Sequence, residues 1–356
     1  MRKRLAVGLS ALLLSACMVG PDYERPTIET PKDWRFPTAA LGNVANTRWW
    51  QQFQDPVLNR LIQVALQENQ DLKIAAARID QFLGQYAVVR SQLFPQLVGN
   101  AAGTKTESSL KTHPPPLPGQ RETHLYQGLL DLSYEIDLWG RLRRQTEAAQ
   151  AQLFASEEGR RAVILTLVAS VANAYTQLLN LDRQLALAQA TTASRAEFAR
   201  VIELRFKAGI VSALEVSQAQ SDYEEAASTV PDYQRLMALQ EDLLSILLGR
   251  NPSPITRDRR LEQLALPAVP AGLPSGLLER RPDILQAEQN LIAANAQIGV
   301  ARAAYFPTLS LTGTLGTVSA TLSDLFTGPA RVWQYGAASA LPIFTGGALS
   351  GQVQIA

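Results

Sequence analysis

Apolar and polar residues alternate strictly over the last part of a segment that ends at Leu138, and this alternation predicts a β-strand. The apolar positions are Leu130, Leu132, Tyr134, Ile136 and Leu138. The polar positions are Asp131, Ser133, Glu135 and Asp137. Acidic groups on one face of strands about 10 residues long are typical of a transmembrane barrel with a water-filled lumen, so we interpret the four polar residues as lumen-facing. A half-buried sheet in a soluble domain has the same alternation and is the alternative.

The chain carries an internal duplication. Residues 71–97 and 283–309 align without a gap at an offset of 212, and each copy ends in Phe-Pro-x-Leu. The first-copy residues with an identical partner are Asp71, Ala75, Gln85, Arg90, Phe94, Pro95 and Leu97. Each copy predicts a helix that stops before its proline and is followed by a pair of alternating strands, in 97–138 and in 308–344. The chain is therefore expected to be built from a repeated supersecondary unit.

A long helical hairpin is predicted between the two copies, over residues 141–248. Gly159 is the only glycine between Arg141 and Ala208, and no proline interrupts this stretch, so one helix of about 67 residues, roughly 100 Å long, is possible. Apolar residues recur every seven positions, as coiled-coil packing requires: Ile164, Val171, Leu178 and Leu185. A second helix follows the turn at 209–212, and Pro231 predicts a kink or a restart within it.

The N-terminus has the pattern of a secretory signal. A basic head at residues 2–4 and an apolar stretch at residues 5–14 precede Leu-Ser-Ala-Cys17, which contains the only cysteine of the chain. This tetrapeptide resembles the lipobox of bacterial lipoproteins and implies acylation of Cys17; a plain signal peptide with an incidental cysteine is the alternative. We expect residues 1–16 to be removed and 17–54, rich in proline over its first half, to form an extended tether.

Composition excludes several classes of function. The 33 basic and 32 acidic residues give a net charge of +1, which does not favour nucleic-acid binding. One cysteine and two histidines do not favour a metal site, and no cofactor motif or catalytic constellation is present. We therefore expect no metal, no cofactor and no enzymatic activity. Glu135 and Asp137 could be catalytic paired carboxylates, but a lumen lining is favoured. After residue 19 no apolar run reaches about 18 residues, so a membrane would be crossed by a barrel.

Several segments together resemble one family. They are residues 49–50, 55–56, 205–216 with Arg-Phe-Lys-Ala-Gly-Ile-Val-Ser, 273–284 with Glu-Arg-Arg-Pro-Asp-Ile, and 304–313 with Tyr-Phe-Pro-Thr-Leu. The chain is similar to the outer membrane factors, the TolC-like channels of tripartite efflux pumps, and most similar to their NodT-like lipoprotein branch. The resemblance implies an α+β membrane protein whose homotrimer closes a 12-stranded β-barrel in the outer membrane, continuous with a periplasmic α-helical tunnel.

The same resemblance implies partners and a docking site. The partners would be a periplasmic adaptor protein, an inner-membrane transporter and outer-membrane lipid, with Cys17 as the lipid anchor. The expected adaptor-binding tip is formed by Arg205, Lys207, Ala208, Gly209 and Ser212. A solvated turn, in which glycine only supplies a left-handed conformation, is the alternative. The function implied is export of small molecules across the outer membrane, and the residues do not identify the cargo.

The predicted organisation is a signal at 1–16, a tether at 17–54, a first repeat at 55–248, a linker at 249–272 and a second repeat at 273–356. The second repeat reaches its hairpin, 308–344, and lacks the helical hairpin of the first, so we interpret the sequence as C-terminally incomplete. A periplasmic adaptor lipoprotein with a coiled-coil hairpin is the rival function. An adaptor would carry one hairpin flanked by β domains and would not be expected to repeat the helix and strand pair.

Overall fold

The computed structural model describes residues 18–27, 48–111, 114, 117, 119, 121–265 and 278–356. The helices are α1 (Pro56–Glu68), α2 (Gln70–Ser91), α3 (Arg141–Lys207), α4 (Ala213–Leu247), α5 (Pro282–Ala303) and α6 (Ala348–Ile355). The strands are β1 (Gln96–Glu107), β2 (Glu122–Ile136), β3 (Thr308–Ser319) and β4 (Arg331–Ala340). Short 3-10 helices occupy Trp49–Phe53, Leu261–Gln263 and Gly328–Ala330. Residues 1–17, His113, residues 28–47 of the predicted tether and residues 266–272 of the predicted linker lie outside the described residues.

The internal duplication is present in the fold. Helices α2 and α5 each have 22 residues, strands β1 and β3 each have 12, and both pairs keep the offset of 212 residues. Each helix has an aspartate in its first turn and an arginine in its last, which complements the helix dipole at both ends. The copies diverge afterwards, because β2 has 15 residues and β4 has 10.

The four described strands form one antiparallel sheet in the order β1-β2-β3-β4. The predicted strand ends are wrong at two places. β2 ends at Ile136 and not at Leu138, and β4 ends at Ala340 and not at Phe344. Pro342 explains the second case, because proline has no N–H to donate to a neighbouring strand.

The helical hairpin forms as predicted, with α3 of 67 residues and α4 of 35. Pro231 lies inside α4, which does not restart there. The expectation about membrane-spanning helices is also corrected, since one 18-residue window of α3 is long and apolar enough to cross a membrane. Small polar residues such as Ser170 break an apolar run without making the window hydrophilic. About 44% of that window is buried, and the middle of α3 contributes Val168, Val171 and Leu178 to the core described next, so we interpret the window as packed helix.

The contacts divide the described chain into two units. The first comprises residues 18–27, 79–155 and 286–356 and contains the sheet. The second comprises residues 48–78, 156–265 and 278–285, and it holds the main hydrophobic core between α1, the middle of α3 and the end of α4. The fully buried core side chains include Leu58, Ile62, Val171, Leu178 and Leu244.

A buried carboxylate fixes the start of α1 in the second unit. Asp55 is fully buried and caps the helix, because its Oδ1 accepts from the N–H groups of Val57 at 2.7 Å and Leu58 at 3.0 Å. Its Oδ2 accepts from the Tyr175 hydroxyl of α3 at 3.0 Å. Burial, and next the negative charge of Asp55, raise the pKa of Tyr175, so the phenol stays protonated and remains a donor.

Loss of this contact should destabilise the second unit. We expect Asp55→Ala to lower the free energy of unfolding by about 1–3 kcal/mol, because it removes a cap and leaves buried donors unsatisfied. Tyr175→Phe should cost about 1 kcal/mol. Asp71→Ala, at an exposed first-turn carboxylate of α2, is the matched control and should cost about 0.3–1 kcal/mol. Thermal unfolding followed by circular dichroism measures how much stability each variant loses. Equal losses in Asp55→Ala and Asp71→Ala would contradict the prediction.

Candidate functional site

The sheet has one apolar and one polar face, and both are largely uncovered in this chain. The register places Leu97, Leu132, Gly313 and Tyr335 in one cross-strand row, and Gly99, Leu130, Leu315 and Trp333 in the next. Leu130 is 49% exposed, Leu315 60% and Tyr335 80%. Trp333 and Tyr335 stack with ring centroids 5.6 Å apart. An exposed apolar face with aromatic residues is the pattern of a lipid-facing barrel wall.

Asp131 is the centre of the polar face. Its Oδ2 accepts from Asn100 Nδ2 of β1 at 2.6 Å, and its Oδ1 accepts from Thr314 Oγ1 of β3 at 2.7 Å. One carboxylate on β2 therefore joins three strands by charge-assisted hydrogen bonds. Sequence reasoning found Asp131 and missed both partners. No signal in the sequence pairs them, because the pairing depends on the register of strands that are far apart in the chain.

The other three predicted lumen residues have different environments. Ser133 is exposed and lies opposite Gln96 and Thr312 on the polar face. Glu135 also lies on the strand, but its carboxylate forms a bidentate ion pair with Arg141, at 2.7 and 2.8 Å from Nη2. Glu135 is thus held by the first residue of α3.

Asp137 lies beyond the end of β2, so its prediction as a strand residue is wrong. Its carboxylate accepts from the N–H groups of Leu142 at 3.1 Å and Arg143 at 2.9 Å, and forms an ion pair with the Arg143 side chain at 3.3 Å. These backbone groups belong to the first turn of α3, where helix N–H groups have no partner within the helix. Asp137 caps this helix and therefore does not continue the strand. The alternation of apolar and polar residues does not reveal this capping.

The predicted hairpin tip is an ordered turn. Gly209 has a φ of +77°, its N–H donates to Phe206 O at 2.9 Å, and the next N–H, of Ile210, donates to Arg205 O at 2.9 Å. This geometry terminates α3 and requires a residue that tolerates the left-handed region. Lys207 forms an ion pair with Glu203 at 2.8 Å, and that hydrogen bond, followed by the lysine charge, lowers the pKa of Glu203.

A residue that sequence reasoning missed fixes the second half of the tip. The Glu215 carboxylate accepts from the Ser212 N–H at 2.7 Å and from the Ser212 hydroxyl at 3.1 Å. The pattern Ser-x-x-Glu before a helix was the signal that could have found it. Ile210 and Leu214 remain 71% and 66% exposed beside this rigid turn. The structure therefore presents apolar side chains on a well-defined tip.

The described residues 18–27, which follow Cys17, have no helix or strand and are bonded to other parts of the first unit. The Val19 N–H donates to Trp139 O at 3.0 Å, and Arg144 of α3 forms an ion pair with Asp22 at 2.6 Å. Asn295 of α5 donates to Pro21 O at 3.0 Å. We call residues 18–25 the N-terminal clasp. It positions the residue following Cys17 beside Gly140, where the sheet passes into α3.

Comparison with known proteins identifies the family. A model described as outer membrane efflux protein matches residues 61–250 and 273–356. The chain belongs to this family. It is an outer-membrane channel subunit of a tripartite efflux pump, with its helical part in the periplasm. The family match decides against the rival function of a periplasmic adaptor.

Related proteins are similar in sequence to almost the whole of this chain. The probable efflux pump outer membrane protein TtgC of Pseudomonas putida is 37% identical over 353 residues, 97% of this chain and 72% of that protein. The outer membrane protein OprJ of Pseudomonas aeruginosa is 37% identical over 362 residues, 97% of this chain and 74% of that protein.

Solved channels have the same fold. The open-state MtrE outer membrane channel of Neisseria gonorrhoeae superposes with a TM-score of 0.84 at 32% identity, covering 95% of this chain and 75% of MtrE. The CmeC outer membrane channel of Campylobacter jejuni gives a TM-score of 0.84 at 27% identity, covering 95% and 73%. The efflux channel subunit therefore has the TolC-like combination of helices and sheet that the sequence resemblance implied.

The two faces of the sheet should respond differently to charge. In this channel subunit we expect Leu132→Arg, on the apolar face, to cost about 1–4 kcal/mol depending on its depth in the bilayer. Ser133→Arg, the adjacent residue on the polar face, is the matched control and should leave assembly near wild type. Heat-resistant oligomer recovered from outer membranes is the measurement. An equal loss in both variants would show that the faces are wrongly assigned. Glu135 is not a suitable control on the polar face, because its carboxylate forms an ion pair with Arg141.

Proposed function

We propose that three copies of this subunit close a 12-stranded barrel through which small molecules leave the cell. The observation that carries the proposal is the four-stranded sheet with one uncovered apolar face and one polar face. Four strands are too few to enclose a lumen, and a sheet that crosses hydrocarbon must be closed so that its backbone groups are bonded. Further copies of the same sheet supply the missing strands, and the polar face then lines the water-filled passage.

Asp131 is the acidic group of this passage in the proposal. A carboxylate that faces water within a narrow pore attracts cations and repels anions. Asn100 and Thr314 hold the carboxylate in place, so its charge has a defined position on the wall. Ser133 lies beside it on the same face, while Glu135 and Asp137 are neutralised by arginines of α3.

Ion selectivity in planar bilayers tests the lumen assignment. We expect Asp131→Asn to lower the preference for cations over anions measurably, while the amide oxygen keeps one of the two hydrogen bonds. Glu122→Gln is the control, since Glu122 lies on β2 with the opposite face parity and pairs with Lys105. Unchanged selectivity for Asp131→Asn, or the same change in both variants, would contradict the assignment of the polar face to the lumen.

The tip of the helical hairpin is the proposed docking site for a periplasmic adaptor, which in turn contacts an inner-membrane transporter. Support comes from the rigid turn at Gly209, from the capping of Ser212 by Glu215 and from the exposure of Ile210 and Leu214. A partner helix can pack against such a surface without the loss of conformational entropy that ordering a flexible loop would require. Arg205, Lys207 and Ala208 complete the tip.

Substitution at Gly209 separates docking from folding. Gly209→Val should distort the turn, because a β-branched residue is strained at φ +77°, and crosslinking from Ser212 to the adaptor should fall several-fold. Gly209→Asn is the matched control, since asparagine tolerates the left-handed region, and it should retain crosslinking. Membrane-inserted protein should stay constant in both variants. Full crosslinking in Gly209→Val would remove the tip from the proposal.

Cys17 is the proposed acylation site that holds the N-terminus at the membrane. The N-terminal clasp supports this, because it begins at the residue after Cys17 and is bonded where the sheet meets α3. The acyl chains would then enter the inner leaflet of the outer membrane close to the barrel wall. The mass of the N-terminal peptide of the mature protein tests acylation, and an unmodified Cys17 would reject it.

A further inference from the structure

The two outer strands of the sheet leave a pair of matching edges. β1 and β4 lie at opposite ends of the order β1-β2-β3-β4, and within the described residues neither has a strand on its outer side. Such edges carry a row of unpaired N–H and C=O groups. Because neighbouring strands are all antiparallel, β4 runs opposite to β1, so β4 of one copy can pair antiparallel with β1 of another. This contact is head-to-tail and can therefore close into a ring.

Strand length and face parity restrict how these edges can pair. Full pairing of the 10 residues of β4 with the 12 of β1 allows only three registers. The apolar face consists of odd-numbered residues in both strands, such as Leu97 and Trp333, and a one-residue slip would exchange the faces. Two registers remain. One places Arg331 opposite Glu107, and the other places Arg331 opposite Lys105.

Charge decides between the two registers. Opposite charges directly across a strand pair attract, whereas like charges destabilise it. Arg331 makes no ion pair among the residues that the structure describes. Glu107 accepts from Arg121 through Oε1 at 2.8 Å, which leaves its second oxygen for another cation. Lys105 already pairs with Glu122 at 2.8 Å and would repel an arginine.

The aromatic pair of β4 fits the register selected by charge. With Arg331 opposite Glu107, Tyr335 lies opposite Gly103, over which the Tyr126 ring of β2 packs on the same face. Trp333 then lies opposite Lys105, where an indole and an ammonium group attract each other. Both rings are exposed in the single chain, at 69% for Trp333 and 80% for Tyr335.

We propose that β4 of one copy pairs with β1 of the next copy in the register that sets Arg331 opposite Glu107 and Ala340 opposite Val98. This inference rests on the proposed assembly of several copies into one barrel and specifies the interface between them. The ion pair at the loop end of the strands selects the register, and the backbone ladder supplies the remaining contacts.

Paired cysteines distinguish the two registers. Gln334→Cys with Thr104→Cys, and Ala337→Cys with Ala101→Cys, are directly opposite in the proposed register. Gln334→Cys with Ala102→Cys, and Ala337→Cys with Gly99→Cys, are directly opposite in the alternative. Directly opposite positions have Cβ atoms about 4.5–5.5 Å apart and diagonal ones about 7–8 Å, which is too far for a disulfide without backbone movement. The single-cysteine variants, which retain Cys17, measure the background.

After mild oxidation in outer membranes, we expect the first two pairs to form covalent oligomers at about five times the yield of the other two. A reversed preference would overturn the register and leave the barrel assembly intact. Oligomers without crosslinks in any pair would overturn the contact between β4 and β1. A wild-type protein that stays monomeric in the membrane would instead reject the proposed assembly itself.

Charge reversal gives a second, independent measurement. Arg331→Glu should lower the dissociation temperature of the oligomer, because Glu107 and the new glutamate repel each other. Combining it with Glu107→Arg should restore the dissociation temperature toward wild type. Combining Arg331→Glu with Lys105→Ala is the control and should not restore it. Rescue by the Lys105 variant and not by the Glu107 variant would contradict the assigned pair.

Discussion

The constraint on which this structure depends is that hydrocarbon offers no hydrogen-bond partner to a peptide group. A four-stranded sheet satisfies the backbone of its inner strands and leaves both edges open. In the proposed barrel, further copies of the sheet pair with these edges. The face with Leu130 and Leu315 suits lipid, and the face with Asn100, Asp131 and Thr314 suits water.

The passage from sheet to helix is controlled by a small set of charges. Glu135 binds Arg141, and Asp137 caps the first turn of α3 and binds Arg143. A helix N-terminus attracts negative charge, so a carboxylate here stabilises the start of a helix that is 67 residues long. Because Glu135 and Asp137 are paired with arginines, they no longer act as free charges on the polar face. Asp131 differs from them, because its partners are a neutral hydroxyl and a neutral amide.

The sequence predicted repeated and periodic features well. The duplication gave α2, β1, α5 and β3 with the same offset, since identical residues at a constant spacing impose the same local structure. The long helix α3 followed from a stretch of 67 residues with no proline and a single glycine. Contacts between distant segments were not predictable: the partners of Asp131 depend on register, and the bond between Asp55 and Tyr175 joins residues 120 positions apart. Asp137 was misplaced because capping competed with alternation.

The N-terminal clasp sets an order of events for the newly exported chain. Asn295 bonds to Pro21 across 274 positions, and Tyr23 and Arg25 bond to Glu288 across 265 and 263. The part of the binding surface of the clasp that α5 supplies is therefore available only after more than 260 further residues have followed. The contacts of the clasp with Trp139 and Arg144 can form earlier, because these residues lie at or next to the start of α3. Contacts of such long sequence separation form late, so the clasp is completed on a subunit whose first repeat is already available to fold.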